Sequence, residues 1–123
     1  MTANPFVILY VEDNDLVRES FAELLAAADR RVVSVADGAA AREALRAEKV
    51  NLLLTDIHLP DGSGLDLARE ALGQNPALPV IVCSGQDLRD VVGSLGPTAH
   101  PLMKPFTVDE LEALIGRFAQ SGT

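Results

Sequence analysis

Leu52-Leu53-Leu54-Thr55-Asp56-Ile57-His58-Leu59-Pro60-Asp61-Gly62 is an apolar run that stops at a carboxylate and passes at once into turn residues. A continuous apolar run so bounded predicts a strand buried on both faces, as in a parallel sheet covered by helices. Asp56 then stands where the strand leaves the core, and in open α/β sheets ligands bind outside the carboxyl ends of strands. A carboxylate at such a place can also do no more than cap the turn. The other strand ends decide between the two.

Working outward, Phe6-Val7-Ile8-Leu9-Tyr10-Val11 is a second fully apolar run, and it too ends in acids, Glu12-Asp13. Asn14 or Asp15 can cap a following helix whose apolar face is Val17, Phe21, Leu24 and Leu25. Arg31 to Val35 predicts a less apolar strand nearer a sheet edge, the Asp37-Gly38 turn follows, and Ala40 to Glu48 predicts a helix with Ala41, Ala44 and Leu45 inward. The strand quoted first then runs from Val50 to Thr55. After Gly62-Ser63-Gly64, a helix turns Leu65, Ala68 and Leu72 to the core and stops near Gly73.

Val80-Ile81-Val82-Cys83 is another continuous apolar strand, ending at Ser84-Gly85. About two helical turns follow with Leu88, Val91, Val92 and Leu95 on one face, terminated by Gly96-Pro97. His100-Pro101-Leu102-Met103 ends at Lys104, and its proline cannot donate to a ladder, so an edge strand is expected. Thr107-Val108-Asp109-Glu110 has the form of a capping box, opening a helix with Leu111, Leu114, Ile115 and Phe118 as its stripe. Met1 to Pro5 and Gln120 to Thr123 read as polar tails. Five strands alternating with five helices through short loops imply a parallel sheet with right-handed crossovers and helices on both faces.

Bulk properties narrow the function. The chain has 123 residues, enough for a single domain over 1–123 with its core at about 6–119 and no output domain. No apolar run approaches a membrane span and no signal-peptide pattern opens the chain. The one cysteine, Cys83, excludes an internal disulfide and a multi-cysteine metal site, so a cytoplasmic setting is expected. A net charge of −8 disfavours nucleic acid and anionic membranes; it suits basic partners or a divalent cation, or serves solubility alone.

In a parallel sheet every carboxyl end lies on one edge. Glu12-Asp13 close the first strand, Asp56 the third, Ser84 the fourth, and Lys104 the fifth. If the first, third and fourth strands are neighbours, three carboxylates gather in one crevice and repel one another unless cations sit among them. Lys104 supplies one, and Mg2+, which binds through one or two carboxylates and keeps several waters, is the natural second. The chemistry that fits is phosphoryl transfer onto an aspartate, with Mg2+, Lys104 and the Ser84 hydroxyl holding the equatorial oxygens and Gly85 allowing close backbone approach. Taken singly, each residue has a plainer use: Lys104 as a surface lysine, Ser84 as a turn residue, Glu12-Asp13 as favourable charge at a helix N-terminus.

With these residues in place, the sequence resembles the receiver domain of two-component response regulators over roughly Phe6 to Phe118. The motifs that carry the likeness are the acidic pair, Asp56 followed by Pro60 and Gly64, Ser84-Gly85, and Lys104-Pro105-Phe106. The resemblance implies a flavodoxin-like α/β fold, a five-stranded parallel sheet of order 2-1-3-4-5 flanked by five helices. It implies phosphorylation at Asp56 by a histidine kinase or histidine phosphotransfer protein, signalling to a protein target or attached domain, and no enzyme activity beyond assisting its own phosphorylation and dephosphorylation. Mg2+ (or Mn2+) would be held by Asp13, Asp56 and the main-chain carbonyl of His58, with Glu12 acting through water. Ser84, Gly85 and Lys104 would contact the phosphoryl group, and the Lys104-Pro105 bond would be cis. His58 and Gln86, each two residues past a site residue, would tune dephosphorylation, or else simply face solvent.

Two departures stand out. Pro101 occupies the position where many receivers carry a switching Tyr or Phe, and the Ser84-to-Lys104 span is short. Both are similar to receivers at the C-terminus of hybrid sensor kinases. They also leave room for a receiver-like scaffold that binds its partner without phosphorylation. A metal-dependent aspartyl phosphatase is the weaker rival, because His58 replaces the usual second acid and no cap domain follows.

Overall fold

The computed structural model describes residues 5–26 and 29–121. The strands are β1 (Phe6–Val11), β2 (Arg30–Val35), β3 (Leu52–Asp56), β4 (His58–Leu59), β5 (Gly62–Ser63), β6 (Val80–Ser84) and β7 (Ala99–Met103). The helices are α1 (Asp15–Leu25), α2 (Gly38–Ala47), α3 (Gly64–Gln74), α4 (Arg89–Gly93) and α5 (Val108–Ser121). Five strands form one parallel sheet in the order β2-β1-β3-β6-β7. This is the expected 2-1-3-4-5; β4 and β5 take the two extra numbers as a two-residue antiparallel hairpin directly after Asp56. Pro101 lies in the edge strand β7, where its missing N–H costs no ladder bond.

Alternation along the buried strands divides the core in two. Val7, Leu9, Val11, Leu53, Val80 and Val82 face α2, α3 and α4, where Ala41, Leu67, Ala68, Ala71 and Val92 meet them. Ile8, Tyr10, Leu52, Leu54, Ile81 and Cys83 face α1 and α5, packing on Leu25, Leu111 and Ile115. Because both faces are covered, the strands read as unbroken apolar runs, and the side-chain period of two emerges only in the packing.

A side-chain cap starts four of the five helices, all but α4. Asn14 accepts the Val17 N–H at 3.0 Å, Asp37 the Ala40 N–H at 2.8 Å, Ser63 the Leu65 N–H at 3.1 Å and Thr107 the Glu110 N–H at 3.0 Å. The capping box of α5 is a variant: Glu110 Oε1 accepts from the Thr107 hydroxyl at 3.3 Å.

Several expectations about helix faces and ends are corrected. Leu24 is exposed while Leu25 is fully buried, so the stripe of α1 is narrower than its apolar residues suggest. In α3 it is Leu67 and Ala71 that join Ala68 and Leu72 in the core, and Leu65 is only half-buried. Helix α4 has five residues rather than two full turns; Val92 is buried, Val91 exposed, and Leu95 lies past its end. Gln120 and Ser121 belong to α5 rather than to a tail, and residues 122–123, like 1–4, lie outside the described residues.

Candidate functional site

The ladder delivers Glu12, Asp56, Ser84 and Lys104 to one edge. Glu12 donates its N–H to the Val35 carbonyl at 3.0 Å, one step past β1. Ile57 donates to the Cys83 carbonyl at 2.9 Å, and Lys104 donates to the Ser84 carbonyl at 2.7 Å. These bonds extend the parallel pairing by one residue and stop there, so Glu12, Asp56, Ser84 and Lys104 mark the carboxyl rim of four strands. Across 48 residues of chain, the Lys104 Nζ donates to Asp56 Oδ1 at 2.6 Å.

Electrostatics at the rim follow from burial. Glu12 is 7% exposed. Loss of solvent raises its pKa, the Asn14 N–H on Oε2 at 3.0 Å opposes the rise, and the Asp13 and Asp56 carboxylates add to it. For Lys104, partial burial pulls the ammonium down, but the bond to Asp56 and the charges of Asp56 and Glu12 outweigh it; the net pKa is raised. Lys104 is thus a fixed positive charge against Asp56. Asp13 is exposed beside Glu12. Burial pushes the Cys83 thiol up to about 12, so the cysteine is a wall of the site and not a nucleophile.

Ser84 is buried, and its Oγ accepts the Gln86 N–H at 3.0 Å. The space over Gly85 is open: a Cβ there would meet nothing within 4 Å. Gly64 is the opposite case, since a Cβ on it would lie 2.1 Å from the Asp56 carbonyl oxygen. That close approach, with the Gly64 N–H donating to the Ile57 carbonyl at 2.7 Å, folds the loop after Asp56 back against its own strand end. Thr55 Oγ1 donates to the same Asp56 carbonyl at 2.9 Å. His58 and Gln86 are both exposed. Pro101 is half-buried and borders a cavity of about 180 Å3 shared with Ser84, Leu88 and Met103. The Lys104-Pro105 peptide is cis.

Sequence reasoning missed a second cavity, of about 440 Å3, between α1, α5 and the sheet. It is lined by Tyr10, Phe21, Leu54, Phe106 and Leu111 together with Glu12, Asp56 and Lys104. Tyr10, Phe21 and Phe106 pack ring to ring at centroid distances of 6.4 and 5.9 Å, an apolar wall beside the charged groups. Also missed were Arg18 and Asp61, polar residues of a helix face and a turn whose partners lie elsewhere in the chain. Arg18 Nη1 donates to the Glu12 carbonyl, and Asp61 accepts the N–H groups of Gly38 and Ala39 at the start of α2.

Among the described residues no three His, Cys, Asp or Glu side chains converge closely enough to cage a metal. A cation here would therefore rest on one or two carboxylates, main-chain oxygen and water, the manner in which Mg2+ is held. The donors at the rim are hard oxygens carrying excess negative charge, which fits that ion.

The comparisons give the family and the fold. The family model described as the response regulator receiver domain matches residues 8–116, and the chain belongs to that family. Receiver domains are signalling modules of two-component systems. The response regulator protein PmrA of Pseudomonas aeruginosa is 37% identical over 110 residues, covering 88% of this chain and 50% of that protein. The DNA-binding transcriptional regulator NtrC of Escherichia coli is 33% identical over 113 residues, covering 90% of this chain and 24% of that one. The chain thus spans half or less of the length of these two relatives. Among solved structures, the response regulator TrrA of Thermotoga maritima, crystallised in complex with Mg(2+)-BeF, superposes with a TM-score of 0.81 at 23% identity, covering 92% of this chain and 98% of that chain. No helix among the described residues is long and apolar enough to cross a membrane.

Proposed function

We propose that this receiver accepts a phosphoryl group on Asp56, with Mg2+, from a histidine kinase or histidine phosphotransfer protein. The observation that carries the reading is the 2.6 Å pairing of Lys104 with Asp56 at a rim that also holds the buried Glu12. In the transfer, an Asp56 carboxylate oxygen forms a bond to phosphorus, and the bond from phosphorus to the donor's leaving atom breaks with its electron pair. Lys104 moves from the carboxylate oxygen to a phosphoryl oxygen. The Ser84 hydroxyl, now an acceptor for the Gln86 N–H, turns its proton toward a second one. Asp13 and Asp56, with the His58 carbonyl and Glu12 through water, would hold Mg2+, which when bound neutralises charge on the transferring oxygens.

Support for the ion comes from the acid excess at the rim and, by analogy, from the Mg(2+)-BeF complex of TrrA. His58 and Gln86, exposed at either side, would tune the lifetime of the phosphate. The output would be a protein contact on the face of α4, β7 and α5. With a net charge of −8, these residues are poorly suited to a phosphate backbone, so any DNA contact such as the name of NtrC records would come from another segment. Pro101 keeps a second reading in view, a scaffold that works without phosphorylation, since a proline ring cannot swing as an aromatic side chain does.

Incubation with a small phosphodonor and Mg2+, followed by intact-mass measurement, separates the two. The wild type is expected to gain one phosphoryl group and Asp56→Asn none. An unlabelled wild type would leave the scaffold.

A further inference from the structure

The turn that carries Glu12 and Asp13 is only three residues long, between Val11 at the end of β1 and Asp15 at the start of α1. Glu12 in it is pinned at three places. Its N–H goes to the Val35 carbonyl at 3.0 Å, and one carboxylate oxygen takes the Asn14 N–H at 3.0 Å. Its carbonyl takes Nη1 of Arg18, reaching back from α1, at 2.9 Å. The same guanidinium places Nη2 2.6 Å from Asp15 Oδ1 and is 18% exposed, whereas Asp15 is 79% exposed. The first two bonds hold Glu12 itself. The third holds the peptide plane that leads into Asp13, and Arg18 alone supplies it among the described residues.

We propose that Arg18 is a positioning residue of the phosphoryl-transfer site, fixing the Glu12–Asp13 peptide so that Asp13 faces the cation beside Asp56. This rests on the Mg2+ reading above. The guanidinium is suited to the task because its planar fork donates to two acceptors at once, which an ammonium cannot do in the same geometry. The ion pair to the exposed Asp15 contributes little by itself and serves to orient the fork. Outer partners of metal-binding groups commonly govern affinity roughly 10–100-fold.

The test is calorimetric titration of the whole chain with Mg2+, for wild type, Arg18→Ala, Arg18→Lys and Asp15→Asn, with thermal midpoints taken in chelator. Arg18→Ala is expected to bind Mg2+ about tenfold or more weakly, Arg18→Lys to fall between it and wild type, and Asp15→Asn to stay within about twofold. The phosphodonor labelling rate of Arg18→Ala should recover at saturating Mg2+, which a loss of folded protein would not allow. Mg2+ affinity of Arg18→Ala within twofold of wild type overturns the assignment. Should that variant fail to fold, Arg18→Lys decides: wild-type affinity overturns the assignment and weakened affinity sustains it. A wild type that binds no Mg2+ overturns the underlying reading as well, so the two failures are distinct.

Discussion

At Gly64 the absent side chain is what lets the loop pack against the Asp56 main chain. An added Cβ would sit 2.1 Å from the Asp56 carbonyl oxygen and 3.1 Å from the Ile57 Cα, both main-chain atoms that cannot yield as a flexible side chain would. Gly64→Ala is therefore expected to cost at least the upper part of the ~1–3 kcal/mol typical of overpacking and to disturb Asp56 directly. A urea denaturation midpoint lowered together with slower phosphodonor labelling would bear this out. An alanine variant as stable as wild type would contradict it. Cys83 makes the complementary point, since burial raises its thiol to about 12. A thiol reagent at pH 8 should leave the folded protein unmodified and react only on unfolding.

Elements show where pattern and packing part company. Leu24 and Leu25 are equivalent in composition, and both fit a helical stripe through Val17 and Phe21. The sheet receives Leu25, and Leu24 stays 54% exposed. Leu25→Ala should cost about 2–5 kcal/mol in chemical denaturation, and Leu24→Ser no more than about 0.5. Periodicity locates a stripe to within one residue; which member is buried depends on the crossing of helix and sheet. In α3 the same uncertainty hid Leu67 and Ala71. The length of α4 was illegible for a related reason: its apolar residues continue to Leu95, but only Arg89–Gly93 are helical. The Asp61 clamp on α2 was hidden because its partners lie 22 and 23 residues away. Bonds from the Gly38 and then the Ala39 N–H hold the Asp61 carboxyl below the usual range. Its stabilising effect is present above the unfolded value near pH 4 and lost as pH falls through the lower folded value. Asp61→Asn, compared with wild type in urea melts from pH 7 to pH 3, should show a shallower loss of stability on acidification. Equal slopes would remove the clamp from the acid response.

For the molecule as a whole, the legible part was the part that repeats. Three of the five sheet strands, β1, β3 and β6, are apolar runs ended by polar residues, and a parallel sheet carries the ends of all five to one edge. Hence Glu12, Asp56, Ser84 and Lys104 could be set on one edge from spacing alone, whereas their meeting in one crevice needed the order 2-1-3-4-5, which came only through family likeness. Illegible were the ties from a side chain to main chain outside its own element, such as Arg18 of α1 to the Glu12 carbonyl, and the aromatic wall of Tyr10, Phe21 and Phe106, because these depend on three-dimensional approach that no apolar or turn pattern encodes. The central claim is that the rim makes Asp56, and no neighbouring acid, the acceptor. Borohydride reduction of the phosphodonor-treated protein, followed by peptide sequencing, converts an acyl phosphate to an alcohol and so marks the modified residue. The account predicts a single reduced residue, at position 56, formed only when Mg2+ is present; reduction at Glu12 or Asp13, or none anywhere, would contradict it.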